Sequence, residues 1–205
     1  MKLSIPAEVL KAATVYTSKD EARHNINCLS FEDGRVIATN GTSLLVWRHG
    51  ATLNNEGSKD PDFLMSFDKV TLKFVKAADC RAFPYDTETR VLSDGYGQSI
   101  ILPEPPGEFI KWRHVLPSVH ALTPGAPPIS TKVTVLYEEY AKARQGKNTH
   151  HGFTVLATGD ISRAFYLMPY DLPDCFIVAM PLNDTTVKDH LETIAVVSGK
   201  VEQAA

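Results

Sequence analysis

Two pairs of residues have types that could support metal binding or catalysis. His150 and His151 lie in the polar stretch GKNTHHG, which contains no Cys, Asp or Glu to complete a metal site. Glu138 and Glu139 are adjacent in a helix-like stretch, so their side chains point apart, which is a poor geometry for paired acid and base catalysis. Neither pair predicts a catalytic or metal site.

The cysteines and the short motifs point the same way. Cys28, Cys80 and Cys175 are far apart and show no C-x-x-C spacing, which disfavours a zinc site or a disulfide framework and favours buried free thiols. The sequence has no G-x-S-x-G, G-x-x-x-x-G-K-[ST] or H-E-x-x-H motif, and DGYGQS lacks the third glycine of a dinucleotide site. We therefore expect a protein that is not an enzyme and that needs no cofactor or metal.

A run of lysines is the one charge pattern that indicates a ligand. An apolar stripe on one side of a predicted helix consists of Phe67, Val70, Phe74 and Ala78. Lys69, Lys73 and Lys76 lie on the other side, with no acid among them before Asp79, although the net charge of the chain is −3. A solvated helix face is the alternative interpretation. The bias in sign favours contact with phosphates of DNA or RNA, which requires no base specificity.

The elements that must position these residues recur in the same order three times. The first unit reads KLSI, PAEVLKAATVYTS and then strands joined at Asp33-Gly34 and Asn40-Gly41, the latter a type I′ hairpin signal. The second reads FLMSF, DKVTLKFVKAADC and TRVLSDGYGQSIIL, and the third reads KVTV, LYEEYAKARQ and GFTVLATGDISRAFYLM. One helix and several antiparallel strands per unit predict an α+β fold with the helices on one face of the sheet.

Composition places boundaries between the units. The Pro- and Gly-rich stretch LTPGAPPIS predicts a linker over 122–130, between a domain of two units, 1–121, and a third unit, 131–183. No signal-peptide or membrane-spanning run is present, so we expect a cytoplasmic protein. A C-terminal tail, 184–205, follows.

Three segments resemble the bacterial DNA polymerase III beta subunit, the DNA sliding clamp. Its middle domain carries R-x-x-L-N-G and then A-T-D-G-H-R-L-A, which is similar to RHNINCLSFEDGRVIATNGTSLLVW here. The matching residues are Arg23, Ile26, Asn27, Ala38, Thr39, Asn40, Gly41 and Leu44. EFIKWRHVLP (108–117) resembles the clamp's F-P-D-Y-R-R-V-L-P, and FIVAMPLN (176–183) resembles its V-V-M-P-M-R-L tail. The three matches follow the family's order, and the resemblance as a whole covers about residues 1–183.

The resemblance implies a DNA-clamp-like fold of about three half-domains, where a bacterial protomer has six. It also implies a replication processivity factor whose basic helices bind double-stranded DNA without sequence preference. The expected DNA-binding residues are Lys11, Arg23, Lys69, Lys73, Lys76, Lys142 and Arg144. So short a form is what a phage or other mobile element would encode. Its partners would be DNA polymerase and clamp-loader-type proteins, held through short hydrophobic peptides.

The resemblance further implies a peptide groove. Its expected residues are Ile26, Thr39, Gly41, Leu44, Pro117, Val178, Met180, Pro181 and Leu182. The sequence departs from the family at Thr42-Ser43, where clamps have His-Arg, at Leu182-Asn183, where they have Met-Arg, and at Cys28, where they have Gly. Peptide specificity is therefore open.

The sequence leaves open how many copies of the chain assemble. Four copies of three half-domains would make a ring of twelve, a homotetramer, whereas a monomer or dimer would act without encircling DNA. A clamp mimic that binds replication proteins and never loads on DNA is the alternative function. DTTVKDHLETIAVVSGK in the tail predicts an amphipathic helix from Asp184 to Gly199, whose apolar face packs on the protein, in the groove or on a second subunit.

Overall fold

The structure is a computed structural model. It describes residues 1–20, 23, 25–53, 61–116, 123–124, 129, 131–145, 152–157, 164–170 and 174–180. The first unit comprises β1 (Lys2–Pro6), α1 (Ala7–Thr14), β2 (Cys28–Glu32), β3 (Arg35–Thr39) and β4 (Ser43–Arg48). The second comprises β5 (Phe63–Ser66), α2 (Lys69–Ala77), β6 (Ala82–Asp86), β7 (Val91–Ser93) and β8 (Ser99–Ile101). After a 3₁₀ helix (Trp112–Val115), the third comprises β9 (Thr123–Pro124), α3 (Thr131–Gln145), β10 (Phe153–Ala157), β11 (Phe165–Pro169) and β12 (Cys175–Ala179).

Each unit contributes an antiparallel three-stranded meander with a fourth strand added beside its first strand. The resulting orders are β5-β2-β3-β4, β1-β6-β7-β8 and β9-β10-β11-β12. The first two units exchange their leading strands, since β1 pairs with β6 and β5 pairs with β2. Each of these sheets is therefore completed by the other unit. The predicted α+β fold with repeated half-domains is confirmed.

The first and third meanders join through their last strands. β4 and β12 pair antiparallel, from Ser43 opposite Ala179 to Trp47 opposite Cys175, which produces one eight-stranded sheet. On the helix side, α1 packs against both α2 and α3. Tyr16, just after α1, meets Tyr140 of α3 edge-on with ring centroids 5.9 Å apart, and Trp47 meets Tyr140 at 6.2 Å. Sheet pairing and helix packing thus hold the third unit to the first.

Strand alternation separates two apolar layers. On β4, Leu45 and Trp47 face the main core between sheet and helices, whereas Leu44 and Val46 face the opposite, outer side. The outer cluster is covered by the segment around Trp112, and none of the described side chains of α1, α2 and α3 belongs to it. This second cluster is where the candidate site lies.

Two predictions about local structure are wrong, the strand at KVTV and the burial of Val70. Lys132–Val135 (KVTV) belongs to α3 instead of a strand, because Val133 continues the buried side of Tyr137 and Tyr140 at helical spacing. The strand beside the third meander is β9, which lies within the stretch predicted as a linker. Val70 does not join the buried stripe of α2: it is 65% exposed.

The turn at Asn40-Gly41 also differs from the type I′ prediction. Gly41 has a φ of +89°, whereas Asn40 is not among the residues with positive φ, so the type I′ geometry is not formed. Asp33 and Gly34, at +49° and +70°, do satisfy it. The hairpin between β3 and β4 is present, with Thr39 opposite Leu44.

Two further findings concern the cysteines and the helices. Cys28 and Cys175 are buried free thiols, as predicted, and Cys80 is half-buried. Burial raises the pKa of the Cys28 thiol to about 12, which makes it a poor nucleophile. Among the helices that the structure describes, none is long and apolar enough to cross a membrane.

Candidate functional site

A cavity of about 220 Å³ lies on the outer face of the sheet where β4 meets β12. Its floor is a row of cross-strand neighbours, Thr39, Leu44 and Val178, each only 4% exposed. Its rim includes Val115 and Met180, each 52% exposed. The lining residues are Ile26, Thr39, Gly41, Thr42, Ser43, Leu44, Ile110, Val115, Val178 and Met180. A buried apolar floor below an exposed apolar rim suits the hydrophobic anchor of an extended peptide.

The β3–β4 connection forms one wall and is held by its own side chains. Asn40 Oδ1 accepts the backbone N–H groups of Thr42 and Ser43 at 3.0 and 2.9 Å. Thr39 Oγ1 donates to the Ser43 carbonyl at 2.8 Å and accepts the Gly41 N–H at 3.1 Å. These bonds fix the loop before any ligand binds.

The segment around the 3₁₀ helix forms a second wall. Trp112 Nε1–H donates to Glu32 Oε1 at 2.7 Å, and Arg113 forms an ion pair with the same oxygen at 2.9 Å. Trp112 is buried in the outer cluster, so Glu32 and the cluster together anchor the segment. Ile110 and Val115, on either side of Trp112, thereby face the cavity.

Six of the nine expected groove residues line this one cavity: Ile26, Thr39, Gly41, Leu44, Val178 and Met180. The other three, Pro117, Pro181 and Leu182, lie outside the described residues. Sequence reasoning missed Ile110 and Val115. Both residues lie inside the matched segment 108–117, and Val115 belongs to its V-L-P, so the match could have included them. Thr42 and Ser43, which also line the cavity, are the positions where clamps carry His-Arg.

A second candidate surface lies on the helix side of the molecule. Lys69, Lys73 and Lys76 are exposed and line a cavity of about 310 Å³ beside α2, together with Lys19. Lys19 also lines a neighbouring cavity with Lys132 of α3. The cations of α2 and α3 thus face the same side. Asp20 and Asp68 are also part of this surface, so its charge is mixed.

Other expected cations are engaged within the protein. Lys11 Nζ donates to the Ala78 carbonyl at the end of α2, and Lys142 Nζ donates to Glu138 at 2.6 Å. Arg144 lies over the Trp47 ring at 5.5 Å. Arg23 lies beside Gly41, at the groove, with an ion pair to Asp20 at 3.4 Å. None of these four cations lines the cavity that carries Lys69, Lys73 and Lys76.

α2 begins at a reciprocal cap that presents its lysines in a fixed orientation. Asp68 Oδ1 accepts the Thr71 N–H at 2.8 Å, and Thr71 Oγ1 accepts the Asp68 N–H at 2.8 Å. The Thr71 N–H stabilises the carboxylate and holds the pKa of Asp68 below its usual value. This carboxylate serves the helix terminus and is not a free acid for chemistry.

Comparison with known proteins identifies the fold. No protein-family profile matches the sequence, and no curated protein sequence matches it. Solved structures do. The DNA polymerase III beta subunit from Thermotoga maritima matches with a TM-score of 0.55 and 11% identity, over 97% of this chain and 75% of that chain. The beta chain from Streptococcus pneumoniae matches with a TM-score of 0.59 and 12% identity, over 89% of this chain and 65% of that chain.

A third structure is a sliding clamp from Pseudomonas aeruginosa bound to griselimycin. It matches with a TM-score of 0.53 and 12% identity, over 89% of this chain and 65% of that chain. This chain therefore spans about two thirds of the length of the latter two. At these identities the likeness shows the fold alone, and the fold is that of DNA polymerase III beta subunits.

Proposed function

We propose that this protein is a sliding-clamp-like DNA replication factor that holds short peptides of a polymerase or clamp loader in the groove between β4 and β12. One observation carries the proposal. Residues from three separate segments of the sequence, Ile26–Leu44, Ile110–Val115 and Val178–Met180, surround a single apolar cavity. These are the three segments that resemble clamps, and the fold is that of clamps.

Peptide binding tests the groove directly. The probes are griselimycin, which is bound in the Pseudomonas aeruginosa relative, and a fluorescein-labelled decapeptide carrying Leu and Phe anchors. Met180→Glu and Val115→Glu place a charge at half-exposed rim positions, where the fold tolerates it, and we expect each to weaken binding at least tenfold. Tyr170→Glu is the control, because Tyr170 is 74% exposed and does not line the cavity. Wild-type protein that binds neither probe, or equal binding by all variants, would contradict the proposal.

We further propose that the helix side contacts double-stranded DNA through Lys69, Lys73 and Lys76. Their exposure, and the presence of Lys19 and Lys132 on the same side, support it. Three phosphate contacts give a salt slope of about −2.7, so affinity should fall roughly 40-fold between 50 and 200 mM salt.

The charge reversal Lys69→Glu, Lys73→Glu, Lys76→Glu should abolish this salt-sensitive binding to a 30-base-pair duplex, measured by fluorescence anisotropy. A matched reversal on the outer face is Lys2→Glu, Arg35→Glu, Arg48→Glu, since each of these residues alternates with a core-facing neighbour. Equal loss in both triple variants would mean that total charge, and not the helix face, attracts DNA.

The alternative is a clamp mimic that binds replication proteins in the cytoplasm without DNA. The internal contacts of Lys11, Lys142 and Arg144 favour it, because they leave fewer cations for phosphate. Retained peptide binding together with no salt-sensitive DNA association in wild-type protein would select the mimic. The clamp proposal includes two further predictions: that a phage encodes this protein, and that four copies form a homotetrameric ring.

A further inference from the structure

The outer edge of β8 is an uncovered strand edge within the part of the chain that the structure describes. β8 pairs with β7, with Leu92 opposite Ile100. Asp94 N–H donates to the Gln98 carbonyl at 3.0 Å, and Leu102 N–H donates to the Arg90 carbonyl at 2.9 Å. Since ladder bonds alternate along an antiparallel strand, the backbone groups of Ser99 and Ile101 point away from β7.

This edge is short, which limits pairing, but within its three residues it carries no charge and no proline. Many natural edge strands carry charges, prolines or bulges, whereas β8 reads Ser99-Ile100-Ile101. Ile101 is 65% exposed, and Tyr96 in the preceding turn is 76% exposed. An uncharged strand with free backbone groups and exposed apolar side chains is a template for another strand.

The chain itself shows how such an edge is used. β4 and β12 are the last strands of the first and third meanders, and they pair antiparallel with α1 packed against α3 on the helix side. β8 is the last strand of the second meander. It therefore occupies the position that elsewhere in this chain joins one meander to another.

α2 offers the matching helix surface. α2 lies against β8, and Phe74 is next to Phe83 of β6, with ring centroids 6.4 Å apart. Val70, one turn before Phe74, is 65% exposed. Lys69 and Lys76 lie further round α2 from Val70, in the cavity shared with Ser18 and Asn27 of the first unit, whereas Lys73, three residues after Val70, lies beside it on the helix surface. A junction at β8 would cover Val70 and leave Lys69 and Lys76 outside, with Lys73 at its border.

The number of units in the chain determines which strand of a neighbouring copy can pair with β8. Neighbouring units alternate in orientation: the first and second exchange leading strands, and the first and third pair antiparallel through equivalent strands. The three units follow one another in the order second, first, third, so the two outer units have the same orientation. A copy added head to tail would place its third unit beside the second unit of this chain, and two units of the same orientation would then be adjacent. A copy turned about a two-fold axis continues the alternation and presents its own second unit.

We propose that β8 pairs antiparallel with β8 of a second copy of this chain, about a two-fold axis at Ile100. In this register Ser99 lies opposite Ile101 of the second copy, so that the outward N–H and C=O groups of both residues are satisfied. The two α2 helices then meet as α1 and α3 do. The interface concerns assembly alone and does not depend on peptide or DNA binding.

Edge disruption tests the interface. Ile101→Pro removes an outward N–H and leaves the bonds to β7 intact, whereas Ile101→Thr keeps the N–H and strand propensity. By native mass spectrometry and sedimentation of the full chain, we expect an even-numbered wild-type assembly whose mass halves in Ile101→Pro and is unchanged in Ile101→Thr. A monomeric wild type, or an assembly that survives Ile101→Pro, overturns the proposal, including the case in which segment 181–205 of the same chain covers β8.

Cross-linking tests the register without weakening the edge. In a Cys80→Ser background, Ile100→Cys places two thiols opposite each other across the axis, at a separation that a disulfide can span. We expect covalent dimers on mild oxidation. Ser99→Cys is the control, because in this register its two copies lie diagonally and should link poorly. Efficient linkage through Ser99→Cys with none through Ile100→Cys would overturn the register.

Discussion

Gly41 combines a backbone requirement with a close contact at the groove. Its φ of +89° is disfavoured for side chains with a Cβ, and a Cβ there would lie 2.9 Å from Arg23 Nη1 and 3.4 Å from Ile26 Cδ1. Of these two neighbours, Ile26 lines the cavity. A change at this residue therefore acts on stability and on cavity shape at once, and the two effects can be separated.

We predict that Gly41→Ala costs about 1 kcal/mol of stability through its positive φ and also weakens peptide binding, because the Arg23 guanidinium must move and the added methyl group contacts Ile26 of the cavity. Gly34→Ala is the matched control: its φ is +70°, and its Cβ would meet nothing within 4 Å. Thermal melts should show similar destabilisation in both variants, and fluorescence polarisation should show weaker binding only in Gly41→Ala. Equal peptide affinity in the two would rule out a role for Gly41 in shaping the groove.

Glu32 positions a wall of the cavity without touching it. Glu32→Ala leaves the buried Trp112 indole N–H without its acceptor, which costs about 1–3 kcal/mol, and releases Arg113. Glu32→Gln keeps an acceptor and should recover most of the stability. Urea titrations check the first expectation. Peptide affinity should follow the same order, wild type above Glu32→Gln above Glu32→Ala, if the wall depends on this anchor.

At the scale of elements, the sequence predicts most where local chemistry is strong. Asp33-Gly34 predicts its tight turn correctly, because both residues tolerate positive φ. KVTV misleads because β-branched residues favour a strand, and only packing beside Tyr137 and Tyr140 selects a helix. The strand exchange of β1 and β5 is invisible in local patterns, since β1 pairs with residues about 80 positions away and β5 with residues more than 30 positions away.

The same limits apply to the candidate site. Thr39 and Leu44 are neighbours through a hairpin and could be placed together from the sequence, but Val178 joins them only through the long-range β4–β12 pairing. A resemblance to clamps supplied that connection. Val70 shows the converse: its spacing predicts burial, yet the described chain leaves it exposed, which is understandable if another copy covers it.

The cap of α2 yields a prediction for this element. Asp68→Ala should cost about 1 kcal/mol, because the Thr71 N–H loses its acceptor. The folded pKa of Asp68 is lowered, so its contribution is present above the unfolded value of about 4 and is lost as the pH falls below it. The difference in stability between wild type and Asp68→Ala should therefore shrink between pH 6 and pH 3, measured by urea unfolding. Asp68→Asn, an uncharged cap, should show less of this pH dependence.

At the scale of the whole molecule, the third unit is attached through a buried aromatic junction. Tyr16 and Tyr140 are both fully buried where α1 meets α3, and Tyr140 lies at hydrogen-bond distance, 3.3 Å, from Cys175 of β12. The Tyr16 hydroxyl is buried with no hydrogen-bond partner among the described residues. Burial raises the pKa of both tyrosines above the ordinary value, so the folded protein holds both protons tightly.

This junction should therefore make the folded protein less stable at alkaline pH. In the unfolded chain the two tyrosines lose their protons near pH 10, whereas in the folded protein they keep them. Their contribution to the free energy of unfolding is therefore fully present below that pH. It is lost as the pH rises, by about 1.4 kcal/mol per pH unit for each tyrosine. Tyr16→Phe removes an unpartnered buried hydroxyl, and we expect it to raise the melting temperature at pH 7 and to flatten the loss between pH 9.5 and 11. Tyr170→Phe, at a position 74% exposed, is the control and should do neither. A Tyr16→Phe variant as sensitive to alkali as the wild type would show that Tyr16 does not stay protonated in the folded protein.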